Sequence, residues 1–471
     1  MTALATLQPA FDDHHPPEPA LIDKCVHCGF CLPTCPTYAL WGEEMDSPRG
    51  RIYLMKSGLD GRVGMTDAFV GHFDACLGCM ACVTACPSGV EYAPLVEATR
   101  AQIERRYERT FGDRLFRSAL FAVIPYPGRL RFALAPLLVY QWLRPVLERT
   151  GLLNLLPERL RALAKLAPPI TVRSLTASTP EITPAVGQRR MRVGLLTGCV
   201  QRLAFAHVND ATVRVLAAEG CEIVAPKAQG CCGALAVHAG REPDARDFAR
   251  RAIEAFEQTD VERIVVNAAG CGSSMKEYER LFAGDPAWAA RARALSARVR
   301  DVNELLIELG EPRAPRHPLH LRVAYHDACH LAHAQGVRQQ PRDLLQQIPG
   351  IELLGFAEPE LCCGSAGIYN LVQPEPARQL GERKVAHIAA VHPDVVATAN
   401  PGCTLQIQSV AAEQGRPLKV MHPIELIDAS IRGIAIPNLR SGSRLQEQNR
   451  SSGDQEVSTG SEKTKEFLLS S

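Results

Sequence analysis

Residues 25–36 read Cys25-Val-His-Cys28-Gly-Phe-Cys31-Leu-Pro-Thr-Cys35-Pro36, and residues 76–87 read Cys76-Leu-Gly-Cys79-Met-Ala-Cys82-Val-Thr-Ala-Cys86-Pro87. Both stretches have the spacing C-x2-C-x2-C-x3-C-P, with which bacterial proteins hold cubane [4Fe–4S] clusters. Three thiolates of such a run bind one cluster from a tight loop, and the fourth ligates the other cluster when two runs are present. The pattern therefore predicts two [4Fe–4S] clusters and a role in electron transfer. The expected ligands are, for cluster 1, Cys25, Cys28, Cys31 and Cys86, and, for cluster 2, Cys76, Cys79, Cys82 and Cys35.

Zinc is the alternative ligand for so many cysteines in a short segment. Structural zinc sites usually draw on two separated C-x2-C pairs, whereas each run here has four cysteines and a closing proline. The runs therefore favour iron–sulfur clusters over zinc. His27, inside the first loop, is expected to tune the reduction potential of cluster 1 by hydrogen bonding rather than to bind iron.

The composition is that of an ordinary globular protein. Of the 471 residues, 46% are hydrophobic and 22% are charged, and the formal net charge is +1. The length suggests about three domains, and the charge gives no sign of bulk nucleic-acid binding. We find neither a secretory signal nor the run of about 18 apolar residues that a membrane span requires. We therefore expect a cytoplasmic protein that does not cross the bilayer.

The second half of the chain repeats itself. The first set of cysteines is Cys199, Cys231, Cys232 and Cys271, and the second set is Cys329, Cys362, Cys363 and Cys403. Each member of the second set follows its counterpart by 130 to 132 residues, which indicates two related units, called here the first and second repeats. Short apolar runs alternate with helix-length segments, and this predicts two parallel α/β domains. Because ligand sites in such sheets lie at the carboxyl ends of the strands, each repeat is expected to gather its four thiols in one cleft.

Histidines accompany the cysteines of the second repeat. His326, His330 and His333 stand at i, i+4 and i+7 around Cys329. This spacing predicts three imidazoles on one helix face, where they could take part in metal binding. The other interpretation is that His326 and the following aspartate cap a helix. The first repeat has only His207 near its first cysteine, at a different spacing.

Composition also divides the chain into segments. We expect a flexible leader over residues 1–20, an α-helical ferredoxin-like domain over 21–110, an arginine- and leucine-rich helical connector over 111–192, two α/β cysteine-rich domains over 193–315 and 316–437, and a disordered tail over 438–471. Within the ferredoxin-like domain, residues 48–57 predict a helix that Gly58 ends. The connector either packs between domains or lies on a membrane surface with its arginines toward anionic headgroups.

No sequence motif for an organic redox cofactor is found. The chain has no G-x-G-x-x-G fingerprint after a strand and no P-loop, and it has no nucleophile elbow. We therefore expect no catalytic residues in this chain and expect its electrons to come from a partner protein.

The two Cys-Cys-Gly sets resemble the cysteine-rich (CCG) domain of heterodisulfide reductase catalytic subunits. In that family five cysteines hold a noncubane iron–sulfur cluster, whereas Ser274 and Gln406 stand here in place of the fifth cysteine. With four cysteines in each repeat, the case for a noncubane cluster is weakened, and a conventional cluster, a zinc site or reduced thiols remain open.

The order of two ferredoxin runs, an arginine-rich connector and two CCG sets resembles the iron–sulfur subunit of bacterial glycolate oxidase (glycolate dehydrogenase) over residues 21–428. The resemblance is carried by Cys25-Val-His-Cys-Gly-Phe-Cys, Asp46-Ser-Pro-Arg-Gly-Arg-Ile-Tyr-Leu, Cys86-Pro-Ser-Gly-Val and Leu361-Cys-Cys-Gly-Ser-Ala-Gly. It implies a subunit that takes electrons from flavoprotein partners oxidising glycolate to glyoxylate. It also implies that FAD is bound only by those partners, and that the electrons pass toward membrane quinone at the cytoplasmic face of the inner membrane.

Three other functions fit part of the pattern. D-lactate and sn-glycerol-3-phosphate dehydrogenase subunits use related chains, with a different donor. A thiol–disulfide reductase similar to heterodisulfide reductase would carry out chemistry in the CCG clefts. A zinc-stabilised interaction protein would contain zinc and be colourless.

Overall fold

The computed structural model describes residues 9–176 and 178–437, apart from the side chains of residues 148 and 154. Residues 1–8 of the expected leader and the expected disordered tail over 438–471 lie outside the described residues. Within the described residues, every helix is too short or too polar to traverse a lipid bilayer.

The N-terminal module is built from helices around the two cysteine runs. Its helices are Pro19–Ile22, Pro36–Trp41, Pro48–Leu59, Asp67–Ala75, Ala81–Thr84 and Tyr92–Arg106, with a 3-10 turn at Glu44–Asp46. Local capping starts two of them: Ser47 accepts a hydrogen bond from the Gly50 N–H at 3.0 Å, and Thr66 accepts one from the Phe69 N–H at 3.3 Å. Such caps satisfy backbone donors that the first helical turn leaves free.

The segment expected to be a flexible leader contributes to this module. Ala10 and Phe11 are buried in its core, where Phe11 meets Phe69 edge-on at 5.8 Å between ring centroids. The Gln102 side chain donates hydrogen bonds to Asp12. Residues 10–12 therefore pack against the helical module.

The connector is helical and packs between the other parts of the chain. Its helices are Phe111–Val123, Pro127–Leu134, Leu137–Arg149, Glu158–Lys165 and Val172–Thr176, with a 3-10 turn at Leu152–Leu155. Leu120 and Phe121 pack against Ile368 and Leu371 of the second repeat, and Leu137 packs against the large core that the two repeats share. The packing interpretation of the connector is thus confirmed for these side chains.

The first repeat contains a five-stranded sheet of order β1-β3-β2-β4-β5. Its strands are β1 (Ile182–Thr183), β2 (Met191–Leu195), β3 (Cys221–Val224), β4 (Arg263–Val266) and β5 (Val299–Asp301). Strand β1 is antiparallel to β3, and the other pairs are parallel. The helices of this repeat are Val200–Ala204, Ala206–Ala218, Ala234–His238, Glu242–Glu257, Ala269–Lys276, Tyr278–Leu281, Pro286–Arg298 and Val302–Glu308.

The second repeat contains a parallel four-stranded sheet of order β7-β6-β8-β9. Its strands are β6 (Leu321–Tyr325), β7 (Ile351–Leu354), β8 (Val395–Ala397) and β9 (Val420–Met421). A π-helix covers His330–Ala334, and the α-helices are Gln340–Gln346, Tyr369–Val372, Pro374–Ala390, Pro401–Glu413 and Pro423–Arg432. A helical N-terminal module followed by two α/β repeats is the predicted architecture, and the structure confirms it at this level.

The two repeats pack closely on each other. Helices Ala206–Ala218 and Pro423–Arg432 lie together, and Arg214 forms a bidentate pair with Asp428 at 2.9 and 2.6 Å. Their apolar side chains belong to one continuous core. The cysteine-bearing strand ends of both sheets are therefore fixed relative to each other.

Candidate metal centres

The four thiols predicted for cluster 1 line one cavity at the surface of the N-terminal module. The lining includes Cys25, Cys28, Cys31, Cys82 and Cys86. Left-handed backbone at His27 (φ 52°) and Gly29 (φ 87°) turns the loop around it. The His27 side chain packs edge-on toward Tyr53 at 6.5 Å between centroids, and the His27 carbonyl accepts a hydrogen bond from Arg49 at 3.0 Å.

This first cavity is open to solvent. Cys28 is exposed, and the neighbouring Val26 and Phe30 side chains are 68% and 66% exposed. An exposed apolar rim around a site with charged ligands is typical of a surface that binds another protein.

The four thiols predicted for cluster 2 line a second, buried cavity. Cys35, Cys76, Cys79 and Cys82 all belong to its lining. The Gly78 N–H donates to the Cys76 Sγ at 3.4 Å, and the Tyr92 hydroxyl lies 3.7 Å from the same sulfur. Each cavity contains the four thiols that the spacing assigns to it, with Cys82 lining both, and the donor set of each cavity fits a [4Fe–4S] cluster. The assignment of individual ligands stays a prediction.

A buried arginine controls the electrostatics of the second cavity. Arg51 is 1% exposed and pairs with Asp46 at 3.1 Å, and it donates to the His72 carbonyl at 2.6 Å. Burial raises the pKa of Cys76, but the positive charges of Arg51 and Arg100 outweigh burial and leave that pKa below its ordinary value. The fixed positive charge therefore favours negative charge at this site. Sequence analysis missed Arg51, because nothing in the spacing of its motif distinguishes a buried arginine from a surface one.

The two cavities are adjacent. Pro48, Cys82 and Tyr92 line both of them. The buried cavity also borders the second repeat. Leu77 and Cys79 of the cavity lining share one buried apolar cluster with Cys329 of the second repeat. The thiol sites therefore form a continuous series from the exposed loop to the second repeat.

The second repeat gathers its cysteines at the carboxyl ends of its strands. Cys362 and Cys363 precede Gly364, which has φ +91° and whose added Cβ would lie 2.5 Å from the Ala377 carbonyl oxygen. Only glycine permits this close approach. Cys403 lies in the first turn of helix Pro401–Glu413, and the thiols of Cys362 and Cys403 both act on Cys363 and lower its pKa well below the ordinary value.

The first repeat gathers its cysteines in the same way. The Gly233 N–H donates to the Cys231 Sγ at 3.4 Å, and the Tyr278 hydroxyl donates to the Cys232 carbonyl at 2.6 Å. The neighbouring Cys231 thiol and burial raise the pKa of Cys199 well above its ordinary value, and Cys271 acts in the same direction on Cys232. Both repeats thus bring their four predicted thiols together.

The three histidines of the second repeat do not share a helix face, so this prediction was wrong. His326 follows strand β6 and precedes the helix, with its Nδ1 3.1 Å from the Pro359 carbonyl oxygen. His330 lies 2.8 Å from the His238 ring, Nε2 to Nε2. His333 contacts the Thr84 hydroxyl at 2.8 Å. The reason is that the helix begins only at His330 and is a π-helix.

The capping interpretation is also wrong, because the side chain of Asp327 pairs with Arg342 at 2.6 and 2.8 Å. Sequence analysis missed His238, because it lies in the first repeat and is not part of the motif around Cys329. Its pairing with His330 joins the two repeats beside the dicluster module, where Gly78 lies against the His238 ring.

Comparison with known proteins matches the whole order of segments. Residues 21–90 match the 4Fe-4S dicluster domain, residues 112–167 match the linker region of the glycolate oxidase iron-sulfur subunit, and residues 193–276 and 323–408 match the cysteine-rich domain. The chain is 37% identical over 407 residues to the probable glycolate oxidase iron-sulfur subunit of Bacillus subtilis (strain 168), covering 84% of this chain and 90% of that protein.

Two further relatives have names that mention different substrates, glycolate and lactate. The chain is 36% identical over 420 residues to the glycolate oxidase iron-sulfur subunit of Escherichia coli (strain K12), covering 88% of this chain and 95% of that protein. It is 32% identical over 239 residues to lactate utilization protein A of Geobacillus kaustophilus (strain HTA426), covering 51% of this chain and 99% of that protein.

Proposed function

Because this chain belongs to the glycolate oxidase iron-sulfur subunit family, we propose that it conducts electrons from a flavoprotein partner that oxidises glycolate toward membrane quinone. Oxidation of glycolate to glyoxylate releases two electrons and two protons to the FAD of the partner. A [4Fe–4S] cluster, when bound, takes up and releases one electron at a time. Two such sites in series thus connect the two-electron flavin to the acceptor.

The observation that carries this proposal is the order of the thiol cavities. The cavity of Cys28 is open and has an apolar rim at Val26 and Phe30, whereas the cavity of Cys79 is buried against the second repeat. We propose that the flavoprotein docks on the open side. The buried cysteines then hold cluster 2 away from water, on the side that leads to Cys329.

The experiment that tests the proposal compares electron donors on the anaerobic complex of this chain with its flavoprotein. We expect glycolate to reduce two [4Fe–4S] centres within a turnover, as seen by electron paramagnetic resonance (EPR) spectroscopy. D-lactate and sn-glycerol-3-phosphate, added at the same concentration, should leave them oxidised. Reduction by D-lactate without reduction by glycolate would transfer the assignment to the lactate relatives.

The same anaerobic protein preparation distinguishes the two remaining alternative functions. A colourless protein that contains zinc and no iron would support the zinc-stabilised interaction protein. Reduction of a disulfide substrate that is lost when Cys231 or Cys362 is replaced by Ala would support a thiol–disulfide reductase.

We further propose that the connector contacts the cytoplasmic face of the inner membrane. Helix Leu137–Arg149 exposes an apolar stripe at i, i+3, i+4 and i+7, and the exposed fractions are 60% for Val139, 79% for Trp142, 38% for Leu143 and 56% for Val146. Arg149 at the end of this helix is exposed, and so are Arg129 and Arg131 on the preceding helix Pro127–Leu134. An exposed apolar stripe on a connector that also exposes arginines suits an interface with anionic lipid headgroups.

Replacing Trp142 and Val146 together with Ser is expected to weaken binding to anionic vesicles by about tenfold or more, since about 1.4 kcal/mol of lost apolar burial suffices for that factor. Binding of the unchanged protein should also fall as salt rises, because salt screens the arginine–headgroup attraction. Cosedimentation with vesicles measures both effects. The matched control is Trp41→Ser, which removes an exposed tryptophan (42%) from the N-terminal module. Equal binding of all three proteins would contradict the proposal.

A further inference from the structure

We propose that a cavity between the N-terminal module and the two repeats binds the ring of the membrane quinone and is the place where the quinone is reduced. The cavity has a volume of about 390 Å³. Small-molecule sites in proteins typically measure about 300–1,000 Å³. This inference rests on the proposed electron-conducting function, and it identifies where the electrons leave the chain.

The cavity lies directly beside the buried cysteine cavity. Met80 lines both of them, and it follows Cys79 in the chain. Met80 is 7% exposed and has left-handed backbone (φ 61°), which is uncommon for a residue other than glycine. Strained backbone of this kind is concentrated at functional sites. One side chain therefore separates a molecule in the cavity from the proposed site of cluster 2.

The walls of the cavity are mostly apolar. Helix Tyr92–Arg106 contributes Ala98 and Ala101 to the lining, and the first repeat contributes Val237. An apolar lining with a few polar groups suits a flat, uncharged ring, which is the shape of a quinone headgroup. His15 also belongs to the lining and is exposed, so that the ring can enter from that side.

The charged groups of the lining argue against a carboxylate such as glycolate as the occupant. Among the described residues, the two arginines of the lining are already paired with carboxylates. Arg280 lies 3.1 Å from Glu97 and 2.9 Å from Glu277. Arg246 lies 3.3 Å from Glu242. A carboxylate in the cavity would lose its hydration without gaining a free cation, which is costly. An uncharged ligand therefore fits better.

Two imidazoles provide polar contacts for a quinone oxygen. His238 and His330 both line the cavity, and their Nε2 atoms lie 2.8 Å apart. An imidazole nitrogen donates when it carries a proton and accepts when it does not, so the pair is able to donate to a carbonyl oxygen that enters. Gly78, which immediately precedes Cys79, lies against the His238 ring. The imidazole pair is thus beside the loop of the buried cysteines.

Reduction of a quinone also requires protons, and Glu97 is placed to relay them. Two electrons convert both C=O double bonds to C–O single bonds, and two protons form one O–H bond at each oxygen. The electrons are those that glycolate oxidation supplies in the proposed function, and the protons come from water at the open side. Burial raises the pKa of Glu97 to about 7 in spite of Arg280, and the nearby Glu277 acts in the same direction as burial. This carboxyl therefore exchanges protons readily near neutral pH.

The test measures binding of duroquinone to the full chain, purified anaerobically with its iron. Duroquinone carries a methyl group at every substitutable ring position and so does not add to cysteine thiols. Equilibrium dialysis should show about one saturable site per chain. Ala98→Phe places a phenyl ring in the cavity and should weaken binding by about tenfold or more. The matched control is Ala290→Phe, at an exposed position of helix Pro286–Arg298 outside the cavity, which should leave binding unchanged.

The complex with the flavoprotein gives a second readout. Ala98→Phe should raise the KM for duroquinone by about tenfold or more, while glycolate still reduces the iron–sulfur centres as seen by EPR. Normal EPR signals also show that the variant folds. If the proposed function is wrong, glycolate will not reduce the centres. If this inference is wrong, the unchanged protein and Ala98→Phe will bind duroquinone equally.

Photolabelling of the unchanged protein covers the case in which Ala98→Phe does not fold. An azido-substituted quinone should label helix Tyr92–Arg106, or residues 234–246 or 270–284 of the first repeat, which together provide most of the lining. Label confined to other parts of the chain, or the absence of saturable duroquinone binding, would overturn the proposal.

Discussion

Replacing Cys79 with Ala is expected to abolish the proposed electron transfer from glycolate and to remove about half of the cluster iron, because one of the two proposed four-iron sites loses a ligand. Cys79 is buried, lines the buried cavity and belongs to the same buried cluster as Cys329. The exposed site does not depend on this thiol. We therefore expect one EPR signal to disappear and the other to persist when dithionite is the reductant.

The matched control is Cys221→Ala, which removes a cysteine that belongs to neither run nor to either CCG set. Cys221 is buried in strand β3, so its loss should cost about 1 kcal/mol of stability and leave iron content and activity unchanged. If Cys79→Ala kept both EPR signals and normal turnover, the assignment of cluster 2 would be wrong.

Replacing Arg51 with Met is expected to have the largest effect of any substitution outside the cysteines. The guanidinium is buried and bonds to Asp46, Thr37 and the His72 carbonyl. Removing one partner of a buried ion pair leaves the other charge uncompensated, so the free energy of unfolding should fall by about 3–5 kcal/mol. The loss of positive charge beside Cys76 should also lower the reduction potential of cluster 2, because reduction adds an electron there.

Two measurements distinguish the effect of the substitution on stability from its effect on the reduction potential. Chemical denaturation of the anaerobic protein gives the change in stability, and a redox titration followed by EPR gives the two potentials. Arg51→Lys keeps the charge and should restore most of the potential, while restoring less of the stability because lysine lacks the planar fork. Arg49→Met, at the rim of the open cavity, should affect cluster 1 instead. A potential for cluster 2 that is identical in the Met and unchanged proteins would contradict the electrostatic role of Arg51.

Secondary structure was predictable where the signal is local. Strands Arg263–Val266 and Leu321–Tyr325 lie at the apolar runs that lead to cysteines, as the alternation predicts. The helix predicted over residues 48–57 is also present, but it continues through Gly58 to Leu59. An added Cβ at Gly58 would lie 2.8 Å from the Phe11 ring. Glycine serves there to admit a distant phenylalanine rather than to end the helix, and no local pattern reveals such a contact.

For the candidate sites, too, local sequence features were predictable and contacts between distant segments were not. The sequence by itself predicted which thiols form each group, because three ligands of a [4Fe–4S] site lie within one short loop and because a repeated register carries its cysteines to equivalent strand ends. It also determined the family to which the chain belongs. The sequence did not distinguish an exposed dicluster cavity from a buried one.

Only the tertiary structure decided what surrounds the thiols. Three examples each join segments that are far apart along the chain. Arg51 acts electrostatically on Cys76, Cys79 and Cys329 share one buried cluster, and His326 approaches Cys403. Such contacts arise from the packing of whole helices and sheets, which neither periodicity nor motif spacing encodes. Cysteine spacing therefore predicts the metal-binding capacity of this protein, whereas packing specifies the charge and burial that distinguish one site from the next.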